Sequence, residues 1–326
     1  MSKDKELYAF QVAQIRVRET QLLGQVQLES LLSMESYEAC MQFLSEKGWA
    51  VTDDMSMEQM LAAEQERCWD MICHMCNAQQ LHYFDLFTCK RDFHNLKSAI
   101  KEAYIQEETE GVYAAEGTIP VEKLKFAAAE NEFASLPGYL KGPGAEARAV
   151  LFATGDSQLA DTIIDKAALE EMARLGKASE NSLLAEYSQF ICASSDIRIA
   201  VRAVRAGKDS AFLGRALAAC DTLSVTGLEA AARGGMDALL EYLEHGSYPD
   251  CVPAIKAGGS AFDTWCDNRI IELIKPQKYN PFTISPLIAY FIAKTMEVQS
   301  VRIILSGKLN KLPEEKIMER VRESYV

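Results

Sequence analysis

The chain has 326 residues, 34 Lys and Arg against 47 Asp and Glu, a formal net charge of −13, and 48% apolar residues. That composition excludes a disordered or collagen-like chain, and the length allows a sizeable core without disulfides or metals. It also excludes a nucleic-acid binder: phosphate affinity comes from clustered Lys and Arg that release counterions, and the sequence has no basic stripe.

The N-terminal Met-Ser-Lys-Asp-Lys-Glu-Leu-Tyr stretch lacks the apolar run of a signal peptide. Nine irregularly spaced cysteines with no export signal then read as reduced thiols of a cytoplasmic chain. Helical periodicity begins with Leu22, Leu23, Leu28, Leu31 and Leu32 and continues through Tyr37, Met41 and Leu44. It returns at Leu183, Leu184, Tyr187, Phe190 and Ile191, and at Asp237, Leu239, Leu240 and Leu243 before a stop at His245-Gly246. Leu287, Ile288, Phe291, Ile292, Thr295 and Met296 give the last such run, interrupted by Lys294, Glu297 and Arg302 before it could span a bilayer. Loop signals fall at Leu136-Pro137-Gly138, Lys141-Gly142-Pro143-Gly144, Ala257-Gly258-Gly259 and between Pro276 and Pro286. Strand and hairpin signals are scarce, so the fold class is all-α.

Self-similarity runs through these helices. Asn95-Leu96-Lys97, Asp196-Ile197-Arg198 and Ser300-Val301-Arg302 each place a small polar residue, an aliphatic and a cation in succession, the cations 101 and 104 residues apart. A glycine-lysine stop follows two of them, at Gly207-Lys208 and Gly307-Lys308. A second marker, Thr118 to Leu124, aligns with Thr222 to Leu228 at a spacing of 104, with Leu28-Glu29-Ser30-Leu31 as a weaker first copy. The spacing predicts three pseudo-repeated helical modules, 1–104, 105–208 and 209–326, arranged around a central cavity or, alternatively, stacked as an open solenoid.

Candidate chemistry is sparse. Cys73-His74-Met75-Cys76, with Cys68 before and His82 after, is the one metal-like grouping in the sequence, but no second CxxC completes a zinc set, and ordinary helix cysteines are the expectation. The carboxylate pairs Asp53-Asp54, Glu107-Glu108, Glu170-Glu171 and Glu314-Glu315 suit solvated helix faces. Asp161 and Asp165 share a helix face without a second acidic motif to hold magnesium. There is no GxxxxGK[ST], GxGxxG after a strand, HExxH or GxSxG, so no catalytic, cofactor or metal residue is expected. Lys97, Arg198 and Arg302 carry two readings: stems packed on apolar neighbours with solvated or paired heads, or related cations meeting an acidic partner surface across a central space.

Tyr279-Asn280-Pro281-Phe282, the run from Ser285 to Ile304, Leu312 to Ile317 and the terminal Arg322 to Val326 together resemble the C subunit of archaeal and bacterial V/A-type rotary ATPases, the counterpart of the d subunit of eukaryotic vacuolar ATPases. Asn95-Leu96-Lys97, Gly117 to Pro120, and Leu22-Leu23 after Arg16 and Arg18 extend the resemblance toward the N-terminus. It implies a funnel of three similar helical domains on the cytoplasmic side of a membrane rotor ring. Such a protein receives the central stalk (the D and F subunits) and transmits torque, with no nucleotide or ion site and no cofactor of its own. The competing class is a free-standing helical scaffold that binds peptides or partner helices in a groove.

Overall fold

The computed structural model describes residues 8–52, 54–107, 111–114 and 117–326. Most of the N-terminal stretch read for a signal sequence, and Asp53 and Glu108 of two carboxylate pairs, lie outside those residues. Every regular element among the described residues is helical. In chain order they are α1 (Ala9–Glu19), α2 (Gln25–Leu32), α3 (Tyr37–Glu46), α4 (Met57–Met75), α5 (Ala78–Leu81) and α6 (Asp85–Ile105). Then come α7 (Val121–Glu130), α8 (Gly138–Thr154), α9 (Ser157–Ala178), α10 (Ser182–Arg205) and α11 (Ser210–Ala216). The last are α12 (Val225–Arg233), α13 (Met236–Glu244), α14 (Cys251–Ala257), α15 (Gly259–Ile274), α16 (Ser285–Leu309) and α17 (Glu314–Met318).

Local chemistry sets where these helices begin. Ser36, Asp156, Asn181, Asp209 and Ser224 each accept a backbone N–H three residues on, satisfying donors that a helix start leaves open. Ser56 and Gln59 form a reciprocal capping box at the head of α4. Two expected loop signals behave differently. Lys141-Gly142-Pro143-Gly144 lies inside α8, because Gly144 lets that helix close on Phe133: a Cβ there would stand 2.8 Å from the ring. Gly207, at φ 62°, does end α10, whereas Gly307 sits within α16 and packs on Ile317, where a Cβ would meet Cγ1 at 2.5 Å. The second glycine serves close approach between helices, not termination.

Two compact units divide the chain, one of residues 1–81 with 253–326, the other of residues 82–252. In the first, α16 is buried along most of its length and packs against α1, α2, α3, α4 and α15. Leu23, Leu28, Leu31, Leu44, Met60 and Leu61 join Val298, Val301, Ile304 and Leu305 in its core, so the two ends of the chain share one apolar interior. In the second, α6 packs on α7, α8 and α9, and α10 packs on α9, α12 and α13. Leu96, Ile100, Leu124, Phe133, Leu140, Leu151 and Ile164 form the larger core there.

Candidate functional site

Buried polar residues of three long helices each accept a backbone N–H from a neighbouring loop. On α6, buried Asp92 accepts the N–H groups of Thr118 (2.8 Å) and Ile119 (3.0 Å) through Oδ1 and the Tyr139 hydroxyl (2.9 Å) through Oδ2. One helical turn on, Asn95 accepts the Ala114 N–H at 2.8 Å. On α10, Asp196 accepts the Ala218 N–H at 3.0 Å. On α16, Glu297 accepts the Leu23 N–H at 2.6 Å. In each case a long helix supplies a buried acceptor to the loop that leads into a shorter helix, α7, α12 or α2, satisfying backbone donors that no helix ladder pairs. Gly117 is part of this device, since a Cβ there would collide with Asp92 Oδ1. Burial pushes the Asp92 and Glu297 carboxyls up despite their hydrogen bonds.

Glu297 belongs to a wider buried cluster of the first unit. Lys294 lies 2.5 Å from Glu297 and 3.1 Å from Glu64, and its ammonium stands 4.4 Å from the Trp49 ring centroid. Glu64, 0% exposed, also receives the Ala50 N–H and pairs with Arg67 at 2.8 Å. Arg18, Trp49, Glu64, Arg67, Tyr290 and Lys294 line a recess of about 540 Å³ beside it. The terminal signature residues are likewise engaged in structure. Arg16 pairs with Glu19 at 2.7 Å and donates to the carbonyls of Gln277 and Asn280, Glu19 accepts the Tyr325 hydroxyl, and Arg322 pairs with Asp267 at 2.6 Å.

The three sequence-predicted cations separate by unit. Lys97 and Arg198 belong to the second, on α6 and α10, and Arg302 to the first, on α16. Lys97 pairs with Asp165 at 2.7 Å, and Lys101 with Asp161 at 2.7 Å, so the two aspartates on one face of α9 answer two lysines one turn apart on α6. Arg198 is half-buried. Arg302 is exposed, reaches Glu58 at 2.8 Å, and lines a recess of about 630 Å³ with Asp263, Gln299, Arg320 and Arg322.

The metal-like grouping named from sequence does not assemble. Cys73 lies within α4 and Cys76 caps it, Cys68 is buried with its thiol pushed up to about 12 by desolvation, and His82 faces Asp85 at 3.0 Å. Among the described residues, the grouping with metal-ligand geometry is instead Cys192, Asp196 and Cys220, whose ligand atoms all lie within 4.8 Å of one another. Hydrogen bonding between the two thiols pulls Cys220 down and, with burial, pushes Cys192 up; burial also pushes Asp196 up to about 7. Sequence spacing held half of the signal, Cys192 and Asp196 one helical turn apart, but Cys220 comes from the loop before α12 and only folding brings it in.

Fold and polar layer define an all-helical protein whose buried acids organise its own backbone, and among the described residues no helix is long and apolar enough to cross a membrane. The chain belongs to the ATP synthase (C/AC39) subunit family, whose model matches residues 11–320. It is similar to the C subunit of the V-type sodium ATPase of Enterococcus hirae, 22% identical over 95% of this chain and 97% of that one. It is also similar to the C subunit of the A-type ATP synthase of Methanocaldococcus jannaschii, 24% identical over 95% of this chain and 85% of that one.

Proposed function

We propose that this chain is a non-catalytic rotor component of a V/A-type ATPase, a socket that joins the central stalk, made of the D and F subunits, to the membrane rotor ring and carries torque between them. The observation that carries the reading is the family match from residue 11 to residue 320, with two relatives of the same type aligned over 95% of the chain. The protein acts at the cytoplasmic face of the membrane as a peripheral component, its described helices spanning nothing. Its modules close around a hollow for the stalk. Asp92 and Glu297, which stand at the same offset before Lys97 and Arg302, each accept the backbone N–H of a loop leading into a shorter helix, and that likeness supports related modules.

A coupler of this kind must not slip, which requires a permanent interface of about 2,000 Å² or more. Lys97, Arg198 and Arg302 are its candidate contacts with an acidic stalk surface, each already seated on a long helix. The test is reconstitution. The purified chain mixed with a D–F heterodimer or a detergent-solubilised ring should elute as a stoichiometric complex, and absence of binding to both would end the assignment.

A further inference from the structure

The Cys192, Asp196 and Cys220 cluster lies in the second unit, and its two thiols have no part in the function proposed above. Two of its members sit on α10, one turn apart and on one face, and the third sits on the loop between α11 and α12. Cys192 and Asp196 are buried, with Asp196 0% exposed, and Cys220 is half-buried. Asp196 Oδ1 accepts the Ala218 N–H at 3.0 Å, whereas Oδ2 is buried and has no hydrogen-bond partner. An unsatisfied carboxylate oxygen in the interior is costly and calls for a compensating group. The two thiols hydrogen-bond each other and otherwise have only weak partners: Cys192 Sγ stands 3.8 Å from the carbonyls of Ala218 and Ala219, and Cys220 Sγ stands 3.7 Å from that of Leu223 and 3.9 Å from Thr222 Oγ1.

The geometry points to a binding site for a thiophilic divalent cation, zinc foremost, held by Cys192 Sγ, Cys220 Sγ and the Asp196 carboxylate. A tetrahedral zinc with Zn–S bonds of about 2.3 Å keeps its sulfurs roughly 3.8 Å apart. Ligand atoms already within 4.8 Å of one another need only a small contraction to reach that arrangement. Two thiolates and a carboxylate supply three negative charges and mark the site for a soft or borderline ion over magnesium or calcium, which take all-oxygen shells. Water fills the fourth position from the side of Cys220, the solvent-accessible member. Uptake expels the thiol protons into solution, so affinity rises with pH. Occupancy ties the loop before α12 to α10 at the same place where the Ala218 N–H meets Asp196, so the bound ion stiffens an existing joint.

The experiment uses the full chain, demetallated and kept reduced with a phosphine. Zinc is titrated against a chromophoric chelator, and cobalt(II) is added in parallel to read thiolate-to-metal charge-transfer absorption. One zinc per chain and a cobalt spectrum of two-thiolate intensity are expected. C220S should abolish the charge-transfer band, D196N should weaken zinc binding by roughly tenfold or more, and C73S/C76S should leave both unchanged. The wild-type cobalt spectrum counts thiolates without any variant, so a poorly folding C192S would not obscure the answer. Uptake that survives C220S, uptake lost in C73S/C76S, or a reduced protein that takes up neither metal would each overturn the assignment. So would a chain that takes up no metal and on air oxidation merely forms a Cys192–Cys220 disulfide.

Discussion

The backbone N–H of Leu23 meets Glu297 Oε1 at 2.6 Å, across 274 residues of chain. That bond seats the entry to α2 on α16, as the Ile119 N–H meeting Asp92 seats the entry to α7 on α6. Burial raises the Glu297 carboxyl, and Lys294, 2.5 Å away and equally buried, offsets part of that penalty. The N-terminal and C-terminal helices therefore depend on an ion cluster for their joint.

Removing the cation from that cluster should be costly. Lys294→Met leaves Glu64 and Glu297 facing one another in the interior with Arg67 touching only the former. Breaking a buried pair from one side costs about 3–5 kcal/mol. Urea denaturation at neutral pH should register a loss of that size, and Glu297→Gln, which retains an acceptor for Leu23, should lose much less. Equal losses in the two variants would contradict the cluster as the source of the effect.

Lys97 separates helix pairing from partner contact. Its bond to Asp165 is with a carboxylate more than half exposed to solvent, so the pair contributes at most about 1 kcal/mol. Lys97→Met should leave the melting midpoint nearly unchanged. A drop in stalk binding of tenfold or more in the same variant, measured by interferometry, is then an interface effect. Unchanged binding would remove Lys97 from the proposed contact set.

Asp92 makes stability depend on pH. Its folded-state pKa is raised above the ordinary 3.8, desolvation outweighing the bonds from Ile119, Tyr139 and Thr118. An acid raised on folding binds its proton more tightly when folded, so its contribution is fully present below about 3.8 and is lost as pH rises through the folded value. Asp92→Asn keeps an acceptor for both backbone donors and removes the titration. The variant should be more stable than the parent at pH 7, with the gap narrowing as the pH approaches 4. A gap that widens on acidification would reverse the sign and refute the assignment.

Much of the helical framework was legible because apolar residues recur at three- and four-residue spacings, and α10, α13 and α16 fall where that rhythm is strongest. The cation triplets were legible for the same reason: they ride on long helices whose buried faces hold Asn95, Asp196 and Ser300 at fixed offsets. The pairing of α2 with α16 was not legible, since no local spacing reports a contact between residues 23 and 297. The shared helix face of Asp161 and Asp165 was legible, but that Lys101 and Lys97 answer them across two helices was not. Cys73 and Cys76 drew the eye through their motif, yet among the described residues no third ligand joins them, while Cys220 reached its partners through a loop whose path sequence does not encode in any motif.

Gly307 gives the sharpest packing test. It lies inside α16, and a Cβ there would fall 2.5 Å from Ile317 Cγ1 and 2.6 Å from its Cδ1. Ile317 is buried on α17 and belongs to the core shared by the chain ends. Gly307→Ala alone should cost about 1–3 kcal/mol by overpacking, despite alanine's better helix propensity. Ile317→Ala alone should cost about 2–5 kcal/mol through the cavity it leaves. In the double variant the new methyl occupies part of that cavity, so the two losses should fall short of additive by about 1 kcal/mol or more. Strict additivity in chemical denaturation would mean that α17 shifts away from α16 in the single variant, and that the glycine is not what holds the two helices at this distance.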